Sequence, residues 1–224
     1  MKNLICVLVA AIMLLSCAFA FAETAYVSVS NSQGELVMAY VPVDLSDADA
    51  DGAVTIADAL TLAHDAAYEG GAAAGFRADD MGYGLCITKL WGEELGSGYG
   101  YYVNNASAMN LLDPVADGDH VKAYSFTDMD TWSDTYCYFD ANTADGSEIS
   151  LTLTALSYDA DWNLVPNPVA GAVITVDGQD TAAITDAEGK AVLSLEAAGQ
   201  YLISARSDSM TLVPPVCIAT VAAE

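Results

Sequence analysis

The sequence predicts a mixed α+β unit followed by an all-β unit, and three observations carry that expectation. An apolar–polar alternation starts after residue 22, a helical period replaces it from Thr55, and from Glu148 onward only the two-residue period of strands remains. The expected organisation is a leader over residues 1–22, an α+β unit over 23–140, a linker over 141–147 and a β-sandwich over 148–224.

The first 22 residues read as a secretory signal peptide. Lys2 precedes an apolar run from Leu4 to Leu15, and Ala20-Phe21-Ala22 before Glu23 is a small-residue cleavage pattern. Leu14-Leu15-Ser16-Cys17 also admits a lipoprotein reading, but the apolar stretch continues past the cysteine, which favours cleavage after Ala22. Secretion into the extracellular space is the expected location.

Ala25 to Ser30 alternates as a strand, Asn31-Ser32-Gln33-Gly34 supplies a turn, and Leu36 to Val41 is the second strand, with Pro42 ending it or marking an edge. A helix then starts at Thr55, with Ile56, Leu60, Ala63 and Ala67 on one face and Gly70-Gly71 as its stop. Gly84 to Leu90, Tyr99 to Val103 and His120 to Phe126 are short strands. The polar segment 141–147 is taken as the boundary. Beyond it Ile149, Leu151, Leu153 and Ala155 alternate with polar residues. Ala172 to Val176, Ala191 to Leu195 and Tyr201 to Ala205 complete a small sandwich.

The formal net charge is −25, and loss of the leader removes Lys2, leaving Arg77, Lys89, Lys122, Lys190 and Arg206 as the only cationic side chains. Such a surface repels nucleic acid and anionic membranes. Without the leader the cysteines are Cys86, Cys137 and Cys217, so at most one internal disulfide can form. Cys86 with Cys137, in one expected unit, is the favoured pair; three buried thiols is the alternative.

Asp47-Ala48-Asp49-Ala50-Asp51-Gly52-Ala53-Val54-Thr55-Ile56-Ala57-Asp58 carries the most specific chemistry in the chain. Acidic oxygens stand at positions 1, 3, 5 and 12 with glycine at 6, the spacing that wraps a hard cation in oxygen ligands. The expected calcium ligands are Asp47, Asp49, Asp51, the Ala53 carbonyl, Thr55 or a water at position 9, and Asp58. The same carboxylates could instead cap the helix that follows, but capping needs only one and does not require this order. A second acidic run, Asp128 to Asp134, lacks the glycine and the closing carboxylate and reads as a solvated loop.

Strand, acidic loop and helix, followed by Trp91, Tyr99-Gly100-Tyr101-Tyr102-Val103-Asn104-Asn105 and Val115-Ala116-Asp117-Gly118-Asp119-His120-Val121, resemble the transcobalamin C-terminal-like β-grasp domains of bacterial secreted proteins. A Tyr-x-Val-Asn-Gly element and an Asp-Gly-Asp turn recur in that family; Asn105 replaces the glycine here. The acidic loop resembles one half of a dockerin repeat, and its single copy implies a brace for the helix rather than docking to a scaffold. The segments Pro168 to Val173, Thr185 to Gly189 and Gly199 to Ala205 are similar to bacterial immunoglobulin-like and carboxypeptidase-regulatory-like sandwiches, which implies a spacer or adhesion role.

No nucleophile elbow, zinc motif, phosphate loop or Cys-x-x-Cys is present, and His64 and His120 are isolated in sequence. The aromatic residues Trp91, Tyr99 and Tyr101 are the candidate ligand-binding set; alternation places Tyr102 on the opposite face. The sequence therefore predicts a secreted, non-catalytic, calcium-binding adhesion or interaction protein whose partner is a protein, glycan or small ligand. Its alternative is a capture protein for a corrinoid or carbohydrate.

Overall fold

The computed structural model describes residues 23–223, so the expected leader lies outside the described residues. Strands dominate. β1 (Thr24–Ser30) and β2 (Leu36–Asp44) form a hairpin and are followed by α1 (Ile56–Ala67) and the short α2 (Gly71–Gly75). A two-stranded sheet, β3 (Arg77–Asp80) with β4 (Leu85–Lys89), comes next, and then β5 (Tyr99–Val103), β6 (Ala106–Ser107) and β7 (His120–Ser125). The first large sheet has the order β2-β1-β7-β5-β6, with β1 and β7 parallel and the other pairs antiparallel. Parallel neighbours need a long crossover, and the segment carrying α1 supplies it. Ile56, Ala59, Leu60 and Ala63 of α1 pack with Val27 and Val29 of β1 and Val121 and Ala123 of β7 in one buried cluster.

The remaining strands are β8 (Thr135–Phe139), β9 (Thr143–Asp145), β10 (Glu148–Tyr158), β11 (Leu164–Pro168), β12 (Val173–Val176), β13 (Gln179–Ile184), β14 (Lys190–Ser194), β15 (Gly199–Arg206), β16 (Leu212–Val213) and β17 (Cys217–Val221). They form two sheets, β11-β10-β8-β16 with β14 also on β10, and β13-β12-β15-β17-β9. Ile149, Leu151 and Leu153 of the first meet Ile174, Ile203 and Ala219 of the second in a separate buried cluster. The alternation along β10 is what makes a strand with one face in that core.

The break between the two cores differs from the expected one. β8, placed by its sequence in the first unit, pairs with β10 and β16, because Cys137 and Phe139 belong to the second core. Residues 141–147 are not a linker: they hold β9, which pairs parallel with β17. Their polarity is that of a short edge strand with little to bury. The change from one core to the other falls in residues 126–134. Ala67 is exposed at the last turn of α1, and His64 takes the buried position instead. Among the described residues all three cysteines are free thiols, so the Cys86–Cys137 disulfide does not form; Cys86 lies on β4 whereas Cys137 is buried in the second core.

The two cores meet across the second face of the first sheet. Tyr102 of β5 stacks on Tyr136 of β8 with ring centroids 3.5 Å apart, and Tyr136 Oη donates to Asn105 Oδ1 at 2.8 Å. Between them lies buried Lys122, whose Nζ donates to the Cys137 carbonyl at 3.1 Å and sits 4.9 Å from the Tyr136 ring centroid. Burial pushes this ammonium down to about 8, opposed only by the nearby Cys137 thiol.

Folded Lys122 thus gives up its proton near pH 8, while the unfolded chain keeps it to the ordinary lysine range, so between those values the unfolded chain holds more protons and stability rises with pH. Relative to Lys122→Met, the native protein should gain about 2 kcal/mol between pH 7.5 and 9.5, and the methionine variant should be at least as stable at pH 7.5. Paired urea denaturation at several pH values measures this; a pH-independent difference between the two proteins contradicts it.

Candidate functional site

The twelve-residue acidic loop carries the chain from β2 into α1 and folds around its own carboxylates. Asp47 accepts from the Asp51 N–H at 3.1 Å and the Gly52 N–H at 2.9 Å, Asp49 accepts from the Asp51 N–H at 3.1 Å, and Asp51 accepts from the Ala53 N–H at 2.9 Å. Gly52 has φ +98°, a left-handed conformation that explains glycine at position 6.

Asp58 is buried and serves two structures at once. Its Oδ1 accepts from the Ala48 N–H at 2.8 Å, while Oδ2 accepts from the Thr55 N–H at 2.9 Å and the Thr55 hydroxyl at 2.7 Å. Thr55 Oγ1 in turn accepts from the Asp58 N–H, which completes a capping box at the start of α1. A strap over residues 111–115 meets the other N–H groups of the first turn: Ile56 donates to Asp113 O at 3.1 Å and Ala57 to Leu111 O at 3.0 Å, and Val115 donates back to Val54 O at 3.0 Å.

Asp47, Asp49 and Asp58 each offer a carboxylate oxygen, and the three atoms lie within 4.8 Å of one another. Opposite ligands of one calcium ion stand about 5 Å apart, and its donors are hard oxygens, so this set fits calcium in both size and chemistry. Desolvation, then the charges of Asp51, Asp58 and Asp47, raise the Asp49 carboxyl above its ordinary value, against the Asp51 N–H that lowers it. Two expected ligands stand elsewhere. The Asp51 carboxylate is outside the gathered set and turned to the Ala53 N–H, and the Thr55 hydroxyl is committed to the helix cap.

The aromatic candidates do not converge. Trp91 packs on α1, its ring centroid 5.3 Å from His64 and 5.2 Å from Tyr68, and its backbone N–H donates to His64 Nε2 at 3.2 Å. That bond makes Nε2 an acceptor, so Nδ1 carries the proton and donates to Leu60 O at 2.6 Å. Burial lowers His64 below its ordinary value and keeps it neutral. Tyr99 and Tyr101 instead line a cavity of about 140 Å³ with Met81, Tyr83, Cys86 and Ile87. Tyr99 Oη accepts from the Leu95 N–H at 2.6 Å and donates to Glu93 O at 2.7 Å, and Tyr101 Oη points to Cys86 Sγ at 3.9 Å. The sequence reading missed Met81, Tyr83 and Cys86; large residues between the glycines of Met81-Gly82-Tyr83-Gly84 were the available signal.

His120 is also spent on structure, 2.9 Å from Ser28 Oγ through Nε2 and edge-on to Tyr40; burial and then Lys122 push it down to about 3. Asp128 and Asp134 close their own turn by accepting from Thr127, Asp128, Asp130, Thr131 and Ser133. Larger clefts, of about 490 Å³ between β13 and β14 and about 760 Å³ near Ser147 and Glu196, contain none of the candidate residues.

No family model matches the chain, and no curated protein matches it. Among solved structures it is similar to the N-terminal four Ig domains of Dscam1 isoform 6.9, at 14% identity and a TM-score of 0.23 over 65% of this chain and 32% of that one. Dscam1 isoform 7.44 gives 13% identity and a TM-score of 0.23 over 65% and 36%. Murine CEACAM1b gives 12% identity and a TM-score of 0.20 over 58% and 59%. The chain spans about a third of the length of the two Dscam1 structures.

The capping box should stabilise α1 whether or not metal is present. Thr55→Val is expected to cost about 1 kcal/mol in chelator-treated protein, measured by urea unfolding. A cost that appears only with calcium would show that Thr55 serves the ion rather than the helix.

Proposed function

We propose that this chain is a secreted, non-catalytic interaction protein in which calcium, held by Asp47, Asp49 and Asp58, braces the junction between the first hairpin and α1. The observation that carries the calcium reading is the gathering of those three carboxylates on a loop already fixed to α1 and to the 111–115 strap. Asp58 alone suffices for the cap; Asp47 and Asp49 place two further negative charges beside it, an arrangement that a divalent cation relieves.

The proposed units are a β-grasp-like domain up to β7 and an immunoglobulin-like sandwich from β8 onward. The order β2-β1-β7-β5-β6, with parallel central strands and a crossing helix, supports the first, and two facing sheets around one core support the second. Both histidines are buried in packing contacts, which supports a binding role over acid–base catalysis. Among the described residues no helix is long and apolar enough to cross a membrane. Corrinoid or carbohydrate capture is the weaker reading, because the Tyr99–Tyr101 cavity of about 140 Å³ is below the roughly 300–1,000 Å³ of ligand sites and Trp91 does not line it.

Calcium at a hundredfold its Kd should add about 2.7 kcal/mol to stability, a rise of roughly 5–10 °C in Tm for a chain of this size. The rise should vanish in Asp47→Ala and Asp49→Ala and persist in Asp128→Ala. Identical melting curves with calcium and with chelator would remove the metal from this account.

A further inference from the structure

Two large exposed apolar side chains, Met81 and Tyr83, line the Tyr101 cavity, and two more, Met109 and Leu112, stand exposed on a segment bonded to the same hairpin. Met81 and Tyr83, 48% and 76% exposed, lie at the tip of the β3–β4 hairpin, and Met109 and Leu112, 82% and 48% exposed, lie on the adjoining segment after β6. The two segments are tied together. Leu111 N donates to Leu85 O at 3.0 Å, Leu85 N donates to Asn110 Oδ1 at 3.2 Å, and a Cβ on Gly84 would stand 3.1 Å from Asn110 Nδ2. Single exposed apolar residues are ordinary on a protein surface, but two that line a cavity, with two more on a segment bonded to the same hairpin, mark an interaction site.

Cavity size and local charge narrow the occupant. About 140 Å³ is the scale of one leucine or phenylalanine side chain. A sugar is poorly served, because Met81, Cys86 and Ile87 line the walls and the Tyr99 hydroxyl is committed to Leu95 and Glu93. Asp80 accepts from the Gly82 N–H at 2.7 Å within the hairpin tip, and the Asp113 carboxylate is close enough to act on Tyr101, so the charges near the cavity that cations do not already take are acidic. The nearby cations Arg77 and Lys89 are taken by Asp79 and Glu94. A second copy of a chain with net charge −25 is repelled.

We propose that this rim and cavity form a docking site for a basic peptide segment of a partner protein, with one apolar side chain seated against Cys86, Ile87 and Tyr101 and flanking lysines or arginines facing Asp80 and Asp113. The proposal rests on the reading of the chain as an interaction protein and supplies its surface. A buried anchor with a charged rim is the arrangement in which a few contacts carry most of the binding energy.

Cys86 reports on the site directly, since it lines the cavity and is half-buried while Cys137 and Cys217 are buried. The full secreted chain in calcium is alkylated with iodoacetamide, with and without the probe peptide acetyl-Lys-Lys-Phe-Lys-Lys-amide, and Cys86 modification is followed by mass spectrometry. At ten times its Kd the peptide should slow the reaction about tenfold. Protection should disappear in the doubly exposed-site variant Tyr83→Ser, Met109→Ser, whose melting temperature confirms that it folds. No protection, equal protection by a glutamate-flanked or an alanine-centred peptide, or protection that persists in the variant overturns the proposal. A labelling rate that falls with protein concentration alone also overturns it, in favour of self-association. The readout leaves the calcium question untouched: melting that ignores calcium removes the brace and not the docking site, and absent protection does the reverse.

Discussion

The fold depends on β7 being buried on both faces. All six of its residues are inside the protein. Val121 and Ala123 face the helix-bearing core, while Lys122 and Tyr124 of the alternate register meet the second unit through Tyr136 and Val213. A central strand with a lysine on one face would normally turn that face to water. Here β8 covers it, and burial of the ammonium is tolerated because the Cys137 carbonyl and the Tyr136 ring receive it. The same face carries His120 and Ser28, which satisfy each other at 2.9 Å. Ser125 Oγ is the buried side-chain polar atom without a partner among the described residues. A polar seam satisfied this closely fixes how the two sheets stack more tightly than apolar contact would, since any slip leaves a buried donor unpaired.

At the other end of the first unit the acidic loop solves a different problem. A helix start leaves N–H groups without partners, and α1 begins under a strap rather than in water. Thr55 and Asp58 satisfy two of them reciprocally, and the carbonyls of Leu111 and Asp113 take two more. Capping and metal binding are therefore not exclusive readings of this loop. Asp58 is the residue they share, and the further carboxylates Asp47 and Asp49 are what would distinguish a cation loop from one that only caps the start of a helix.

Local regularities were legible in the sequence and long-range ones were not. The strands at Tyr99–Val103 and Val173–Val176 and the helix from Ile56 appear close to where their periods place them, because burial of one face is written into three or four consecutive residues. β11 went unread because Pro166 and Pro168 argue against a strand, yet it lies at a sheet edge where proline is tolerated. The boundary moved because Tyr136 to Phe139 is equally apolar whichever core it joins; only its partners β10 and β16 decide. The alternation that placed Tyr99 and Tyr101 on one face and Tyr102 on the other survives intact, whereas the grouping of Trp91 with them does not. Trp91 has φ 48°, and that turn aims it at α1, which no spacing rule anticipates.

The strap over residues 111–115 connects the two candidate sites. Leu111 is fully buried, donates to Leu85 beside the cavity and accepts from Ala57 of α1, so one residue joins the apolar rim to the helix start. Val115 bonds the loop itself through Val54, and Asp113 accepts from Ile56 while its carboxylate lies close enough to act on Tyr101. An ion that held Asp47, Asp49 and Asp58 together would restrain Val54 and Thr55, and through them the strap and the segment that carries Met109 and Leu112. The coupling runs through backbone hydrogen bonds about 3 Å long and needs no second conformation: a loop ordered by metal lowers the entropy still to be lost when a partner orders the rim. On the proposed calcium reading, a single loop would have a mechanical use that a paired docking module would not require, because its product would be a rigid edge on the same domain.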